Sequence, residues 1–218
     1  QTAAMAAGID GYAASTKCET YDGSSWTEGA DLQTARNPDA GTCGIEAAGL
    51  CVGGAPALTA TEEYNGTSWS SVNGLNNGRQ SAGIFGVQTS AIYAGGEHPP
   101  SLLVESYDGT SWTATTALGT SRQRVSGAGA SNSSGIMAGG SPDGGGALTA
   151  TTEKWDGTSW TEVGDLATAR QSPGGMSGGA PSASTSICSG GLSSGPTASV
   201  KCEEWSEPVY TIKTVTVS

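Results

Sequence analysis

The strongest constraint on what this chain can fold into is a short block that recurs along it: Glu, any residue, an aromatic, Asp or Asn, Gly, Ser or Thr, Ser, Trp. Four copies are complete: Glu19-Thr20-Tyr21-Asp22-Gly23-Ser24-Ser25-Trp26, Glu62-Glu63-Tyr64-Asn65-Gly66-Thr67-Ser68-Trp69, Glu105-Ser106-Tyr107-Asp108-Gly109-Thr110-Ser111-Trp112 and Glu153-Lys154-Trp155-Asp156-Gly157-Thr158-Ser159-Trp160. A fifth begins at Glu203-Glu204-Trp205 and then diverges, so the glutamates lie 43, 43, 48 and 50 residues apart. Self-similarity at such a period is the signature of a repeat architecture, in which one unit buries its apolar faces only against its neighbours.

Independent positions repeat with the block. Ten residues after each of the first four tryptophans stands an arginine, at Arg36, Arg79, Arg122 and Arg170, with Leu32, Leu75, Leu118 and Leu166 four residues earlier. A run of small residues follows each arginine. Next comes a short apolar run ending in Gly-Gly, at Gly53-Gly54, Gly95-Gly96, Gly139-Gly140 and Gly190-Gly191. Each unit therefore reads as four short strands, termed a to d: the small-residue strand, the Gly-Gly strand, the Glu-x-aromatic strand and the Trp strand. The Asp-Gly or Asn-Gly between c and d predicts a tight type I′ hairpin, which needs positive φ angles. Four strands in about 40–50 residues is the spacing of a propeller blade. The expected fold is all-β, a five-bladed β-propeller with about four short antiparallel strands per blade. It forms one domain over residues 1–218, with units near 1–35, 36–78, 79–121, 122–169 and 170–218. Strand a, as in Asp39-Ala40-Gly41-Thr42-Cys43-Gly44 and Ser126-Gly127-Ala128-Gly129-Ala130, is placed innermost, because its side chains are the smallest.

Only four arginine-led a strands accompany five copies of b and c, so the first unit lacks its innermost strand. Residues upstream of Gln1 could supply it, or the alternating segment Val209 to Val217 could; that segment would equally serve as strand d of the fifth unit. The two remain open on sequence alone.

Composition agrees with turn-dense β structure. Glycine makes up 35 of 218 residues, and six Trp and six Tyr at regular positions argue for an ordered chain over a disordered one. A net charge of −11 argues against nucleic acid and anionic membrane surfaces as partners, since both are polyanions. No apolar run approaches the roughly 20 residues that cross a bilayer, and Gln1 to Gly8 lacks the basic start of a signal peptide. The expectation is a soluble chain without membrane insertion. Cys18, Cys43, Cys51, Cys188 and Cys202 form no CxxC pair, so no zinc site is indicated. They read as small buried hydrophobes, with cross-strand disulfides Cys43–Cys51 and Cys188–Cys202 as the alternative.

The succession of a Gly-Gly strand, Glu-x-aromatic, Trp and Leu-x-x-x-Arg resembles the kelch repeat over nearly the whole chain. More narrowly, Thr151-Thr152-Glu153-Lys154-Trp155-Asp156-Gly157-Thr158-Ser159-Trp160-Thr161-Glu162 is similar to the kelch-like propellers of structural proteins from marine and cyanobacterial bacteriophages. The closing Tyr210 to Ser218 looks like the way those proteins end. The resemblance implies a virion structural or binding module, in a tail fibre, receptor-binding or decoration position. It implies an extracellular virion location and partners among other virion proteins, host-surface glycan or further copies of itself. Kelch folds host enzymes, adaptors and lectins alike, so a secreted or cell-surface lectin-like carbohydrate-binding propeller stands as the alternative.

The search for chemistry favours structure over catalysis. Glu19, Glu62, Glu105, Glu153 and Glu203 recur once per unit, which suits a partner for the repeated arginine or for turn N–H groups better than a catalytic ring. Arg36, Arg79, Arg122 and Arg170 are read the same way, and Trp26, Trp69, Trp112 and Trp160 as packing residues ahead of sugar-stacking platforms. His98 is the single histidine, with no Gly-x-Ser-x-Gly elbow or HExxH pair beside it. Copper-radical oxidases, which share kelch-like propellers, need several His and Tyr ligands. Asp143-Gly144-Gly145-Gly146 lacks the spaced carboxylates of a calcium loop. No enzymatic activity, cofactor or metal is therefore expected. The b–c connections vary most, and variable loops on a rigid scaffold are where binding residues concentrate. They nominate Glu97, His98, Pro99, Pro142 and Asp143 as ligand- or partner-binding residues.

Overall fold

The structure, a computed structural model, describes residues 4–8, 13–37, 39–97, 102–142, 147–172, 176–178, 185–193, 198 and 201–206. Among these residues there is no helix, and eighteen strands form five separate antiparallel sheets. Sheet 1 is β1 (Ala4–Ala7), β2 (Cys18–Tyr21) and β3 (Trp26–Glu28). Sheet 2 is β4 (Gly41–Ile45), β5 (Ala48–Val52), β6 (Thr61–Tyr64) and β7 (Trp69–Val72). Sheet 3 is β8 (Gly83–Val87), β9 (Ser90–Ala94), β10 (Val104–Tyr107) and β11 (Trp112–Ala114). Sheet 4 is β12 (Ser126–Ser131), β13 (Ser134–Ala138), β14 (Thr152–Trp155) and β15 (Trp160–Glu162). Sheet 5 is β16 (Met176–Gly178), β17 (Thr185–Ser189) and β18 (Cys202–Ser206). Strands follow chain order within every sheet, and each sheet falls inside one sequence repeat. In sheet 1 strand a is missing among the described residues, and in sheet 5 strand d is. The segment Val209 to Val217, read as a strand from its alternation, lies outside the described residues.

Successive sheets meet along their small-residue strands. β8 lies against both β4 and β12, and β12 also against β16, whereas β7, β11 and β15 stay on the far side of their sheets. The second strand of sheets 2, 3 and 4 is enclosed on both faces, which explains why it carries a continuous apolar run without alternation. Leu50-Cys51-Val52, Ala91-Ile92-Tyr93-Ala94 and Ile136-Met137-Ala138 are all fully buried. The core consists of layers between neighbouring sheets. Leu32 and Cys18 meet Tyr64 and Trp69 between sheets 1 and 2. Leu50 and Leu75 meet Tyr107 and Trp112 between sheets 2 and 3, and Phe85 and Leu118 meet Met137 and Trp155 between sheets 3 and 4. Leu32, Leu75 and Leu118 of the Leu-x-x-x-Arg runs thus fill the seam in front of the next sheet's aromatic pair.

The hairpin between the third and fourth strands departs from the type I′ expectation. Tyr21 faces Trp26 across a four-residue loop, and Tyr64–Trp69, Tyr107–Trp112 and Trp155–Trp160 repeat that register. Only the glycine has positive φ, at 100° for Gly23 and 89° for Gly66. The preceding Asp or Asn needs no left-handed backbone, because its side chain closes the loop. Asp22 Oδ1 accepts from the amides of Ser24 (2.8 Å) and Ser25 (2.9 Å), and Asn65, Asp108 and Asp156 do the same. The paired aromatics stack at a tilt, with centroids 4.9–5.3 Å apart.

The five cysteines are free thiols. Cys43 faces Leu50 while its neighbour Thr42 faces Cys51, and Cys188 faces Glu203 while Ser189 faces Cys202. An offset of one residue puts each candidate pair on opposite faces of its sheet, so the disulfide alternative is not realised. Burial pushes the Cys43 thiol up to about 12 and that of Cys51 to about 11, which keeps both protonated.

The Asx turns make a prediction about acid behaviour. The amides of Ser25 and Ser24 hold the Asp22 carboxyl down to about 2. Because the folded value is depressed, the turn's contribution is complete above the unfolded value of about 3.9 and is lost as pH falls through about 2. A carbon-detected titration of the Asp22 side chain should show a midpoint near 2; one at about 3.9 would show that the loop does not hold the charge.

Candidate functional site

The connector that leaves one sheet carries the arginine that locks the next. Arg36 follows sheet 1, yet its Nη1 donates to the carbonyls of Gly53 (2.7 Å) and Ala60 (2.8 Å), next to the ends of β5 and β6, and its Nη2 to Glu62 Oε1 (3.0 Å) of β6 in sheet 2. Glu62 completes the lock by accepting from the connector amides of Gln33 (2.7 Å) and Thr34 (3.0 Å). Arg79 pairs with Glu105 and reaches the Tyr93 carbonyl, with its guanidinium 4.8 Å from the Tyr93 ring centroid. Arg122 pairs with Glu153, and Arg170 with Glu203, each also donating to the carbonyl of the first glycine of the Gly-Gly pair. All four arginines are fully buried, as are Glu62, Glu105 and Glu153. Burial lowers the Arg122 pKa and Glu153 opposes the shift. Glu62, Glu105, Glu153 and Glu203 thus serve both roles that the sequence offered, arginine partner and acceptor for connector amides, each towards the connector that leaves the preceding sheet.

The Gly-Gly pair belongs to the same assembly. Gly95 sits at φ 73°, and a Cβ there would stand 2.4 Å from the Arg122 carbonyl oxygen; the Gly96 amide donates to that oxygen at 3.1 Å. Gly54 and Gly140 donate likewise to Arg79 and Arg170. Beyond each arginine a backbone chain crosses the sheet boundaries: Ser81 N donates to Asp39 O (2.9 Å), Arg124 N to Ser81 O (2.6 Å) and Ser172 N to Arg124 O (2.8 Å). Ser81, Arg124 and Ser172 hold positive φ of 56°, 54° and 45° to make it. Strained backbone of this kind persists where the surroundings over-determine it.

This chain of bonds lies at the end of the sheets from which the b–c connections emerge, and it gathers the polar residues of that rim. Glu97 pairs backbone with Gln80, and Ser141 with Gln123. The Glu97 carboxylate accepts from Gln80 Nε2 (2.7 Å), Arg124 Nη2 (3.1 Å) and Ser81 Oγ (3.4 Å). This ion pair remains accessible, at 22% of the Glu97 side chain and 39% of that of Arg124. The Pro142 carbonyl accepts from Ser121 Oγ at 3.4 Å. Of the residues nominated from sequence, Glu97 and Pro142 are thus placed at this rim, while His98, Pro99 and Asp143 lie outside the described residues. Arg124, Gln80 and Ser81 were missed. The signal for Gln80 was its recurrence after the arginine as Gln123 and Gln171; that for Arg124 was a second arginine breaking the repeat. Among the described residues no three His, Cys, Asp or Glu side chains come together to hold a metal ion.

The tryptophans do not share one environment. Trp69 and Trp112 are buried at 4% and 5% exposure and Trp160 is half-buried, whereas Trp26, in the same motif, is 51% exposed. Trp69, Trp112 and Trp160 pack on the preceding sheet, and among the described residues nothing packs so on Trp26 of sheet 1. For the same reason Glu19 is exposed and has no hydrogen-bond or ion-pair partner there.

The chain matches no family model and no curated protein.

The lock makes two predictions. Arg79→Ala, by stranding the buried Glu105, should destabilise the fold by about 3–5 kcal/mol in denaturant unfolding. Glu19→Ala should change stability by less than about 0.5 kcal/mol. Equal losses would refute the inter-unit lock. Gly95→Ala should cost about 1–3 kcal/mol from the left-handed backbone alone, before the collision with Arg122. Gly164→Ala, where the nearest atom is 3.9 Å from a new Cβ, is the control that should stay near neutral.

Proposed function

We infer that the chain is a non-enzymatic binding and assembly module, its five sheets being the blades of a kelch-like β-propeller. The observation that carries the reading is the division of labour among its polar groups. Arg36, Arg79, Arg122 and Arg170 are buried in locks with Glu62, Glu105, Glu153 and Glu203, each joining one sheet's connector to the next sheet. The polar groups that break the repeat, Glu97 and Arg124, stay partly accessible beside the variable b–c connections. A rigid array with one irregular polar rim is suited to recognition, since a pre-ordered surface loses little entropy on binding. A negative chain with an accessible carboxylate and guanidinium side by side offers both acceptors and donors to hydroxyl-rich ligands.

The resemblance to propellers of bacteriophage structural proteins supports reading the module as a virion component, part of a tail fibre or a decoration. Its ligand there is host-surface glycan or another virion protein. The test is binding of the purified chain to surface polysaccharide and whole cells of candidate bacterial hosts, beside a variant with residues 97–100 replaced by Gly-Ser and an Arg124→Ala variant. Binding that falls at least tenfold in both variants is the expected result. Binding that neither variant changes would remove the rim from the reading, and release of modified sugar from the glycan would refute a non-enzymatic role.

A further inference from the structure

In an Asn-Gly dipeptide the side-chain amide is open to attack by the following backbone nitrogen, because glycine puts no side chain in the way. The chain has three, Asn65-Gly66, Asn73-Gly74 and Asn77-Gly78, and the fold treats them differently. Asn73 Nδ2 donates to the Thr110 carbonyl of the next sheet's hairpin at 2.9 Å, and a Cβ at Gly74 would stand 2.5 Å from the Thr59 carbonyl oxygen. The Asn77 backbone is tied into a lock: its amide donates to Glu105 Oε1 (3.4 Å) and its carbonyl accepts from Arg79 Nη1 (3.0 Å). A Cβ at Gly78 would stand 2.1 Å from the Ala57 carbonyl oxygen. Neither stretch can turn its backbone towards the side chain without giving up these contacts. Asn65-Gly66 is held in no such way. It lies exposed in the β6–β7 hairpin, at the end of the sheet opposite the b–c connections. The Gly66 amide donates to no acceptor, Asn65 Nδ2 is unbonded, and the nearest atom to a Cβ at Gly66 is 3.5 Å away. Asn65 Oδ1, by contrast, accepts from the amides of Thr67 and Ser68, both at 2.9 Å. These two donors draw charge from Cγ and stand where an oxyanion on Oδ1 would form, while the attacking and the leaving nitrogen are both unengaged.

We propose that Asn65 is a self-modification site, at which the folded chain converts a side-chain amide to a carboxylate through a succinimide, with water as the only co-reactant. The Gly66 nitrogen loses its proton to hydroxide and bonds to Asn65 Cγ. The Cγ–Nδ2 bond breaks, and Nδ2 departs as ammonia with a proton taken from water. A second water opens the five-membered imide. Opening at the bond to Cγ leaves aspartate in an ordinary backbone, whereas opening at the bond to the main-chain carbonyl carbon leaves isoaspartate, whose backbone runs through Cγ. In an unstructured peptide isoaspartate predominates, since the main-chain carbonyl carbon is the more electrophilic. The fold favours the other product. Aspartate is what the equivalent positions Asp22, Asp108 and Asp156 hold, and their carboxylates accept from the same pair of amides. It keeps the turn and adds one negative charge to this end of the sheets. Isoaspartate adds a carbon to the chain between Tyr64 and Trp69, which face each other with ring centroids 5.1 Å apart, and it turns into backbone the group that closed the loop. Tyr64 is also tied, its carbonyl accepting from Gln88 Nε2 of the next sheet's turn at 2.6 Å.

The intact chain is kept in mildly alkaline buffer and sampled over days. The tryptic peptide of residues 37–79, which holds all three dipeptides, is then fragmented by mass spectrometry that separates aspartate from isoaspartate. In the folded chain Asn65 should convert at least tenfold faster than Asn73 or Asn77, at a rate that rises with pH, and mainly to aspartate. In denaturant the three rates should converge, with isoaspartate the main product at each. Asn65→Asp, which supplies the product directly, should unfold at the same denaturant midpoint as the parent chain. An Asn65 that stays intact in the folded chain, or equal rates at the three sites while folded, would overturn the proposal. A lead at Asn65 that survives in denaturant would assign the reaction to local sequence and overturn it too, as would isoaspartate as the main product in the folded chain or a lowered midpoint for Asn65→Asp.

Discussion

The buried arginine–glutamate lock sets the conditions for everything around it. A guanidinium taken out of water is costly unless its donors are met, and here the carboxylate and two backbone carbonyls meet them. The carbonyls come from the ends of the second and third strands of a sheet, while the arginine comes from the connector that enters that sheet. One side chain therefore holds a hairpin together and fixes the angle at which the preceding unit arrives. The matching leucine does the apolar half of the same task by sealing the seam in front of the Tyr–Trp pair. The lock is not free of cost, since Nε of Arg36, Arg79 and Arg122 is buried without a partner. A structure that tolerates three such groups obtains registration between units in return.

The unusual glycine content follows from this geometry. Where the first strands of neighbouring sheets run side by side, backbone passes close to backbone. A Cβ at Gly127 would stand 2.8 Å from the Ile84 carbonyl oxygen, and one at Gly83 would stand 2.6 Å from Met137 Sδ. Larger residues would push the sheets apart and withdraw each arginine from the carboxylate it must reach. Small inner strands, Gly-Gly pairs and locks are thus one constraint expressed at three positions. The paired aromatics Tyr64–Trp69, Tyr107–Trp112 and Trp155–Trp160 lie on the third and fourth strands, away from the close approach of the first strands.

The sheets and their order were legible because the features that define them recur. Gly-Gly marks the end of the second strand, Glu the third, and Trp the fourth, and each sheet lies inside its sequence repeat. The partner of each arginine was not legible. Arg36 lies between Glu19 in the sheet before it and Glu62 in the sheet after it, and sequence distance does not tell that the more distant one is chosen. The hairpin was misread because Asp-Gly suits both a two-residue I′ turn and a four-residue loop closed by the aspartate side chain. The Ser or Thr and Ser that follow, whose amides the carboxylate collects, decide for the second. Trp26 shows the limit of motif reasoning most plainly, since the tryptophan of the same octapeptide motif is buried or exposed according to what stands in front of it.

The same limit governs the rim. Repeated residues announce themselves, whereas recognition residues are by nature the ones that do not repeat. Glu97 was found because its loop differs in composition. Arg124 was hidden by its proximity to Arg122, although the two serve opposite ends: Arg122 is buried in a lock and Arg124 reaches outward to Glu97. The backbone chain from Asp39 through Ser81 and Arg124 to Ser172 ties these fates together. It holds three non-glycine residues in left-handed conformations, and at Arg124 that backbone carries the guanidinium that meets Glu97. A rim residue is therefore set by the same inter-unit bonds that register the sheets. In this architecture a change of ligand preference can come from the side chains at positions 97 and 124 while the locks beneath them remain untouched.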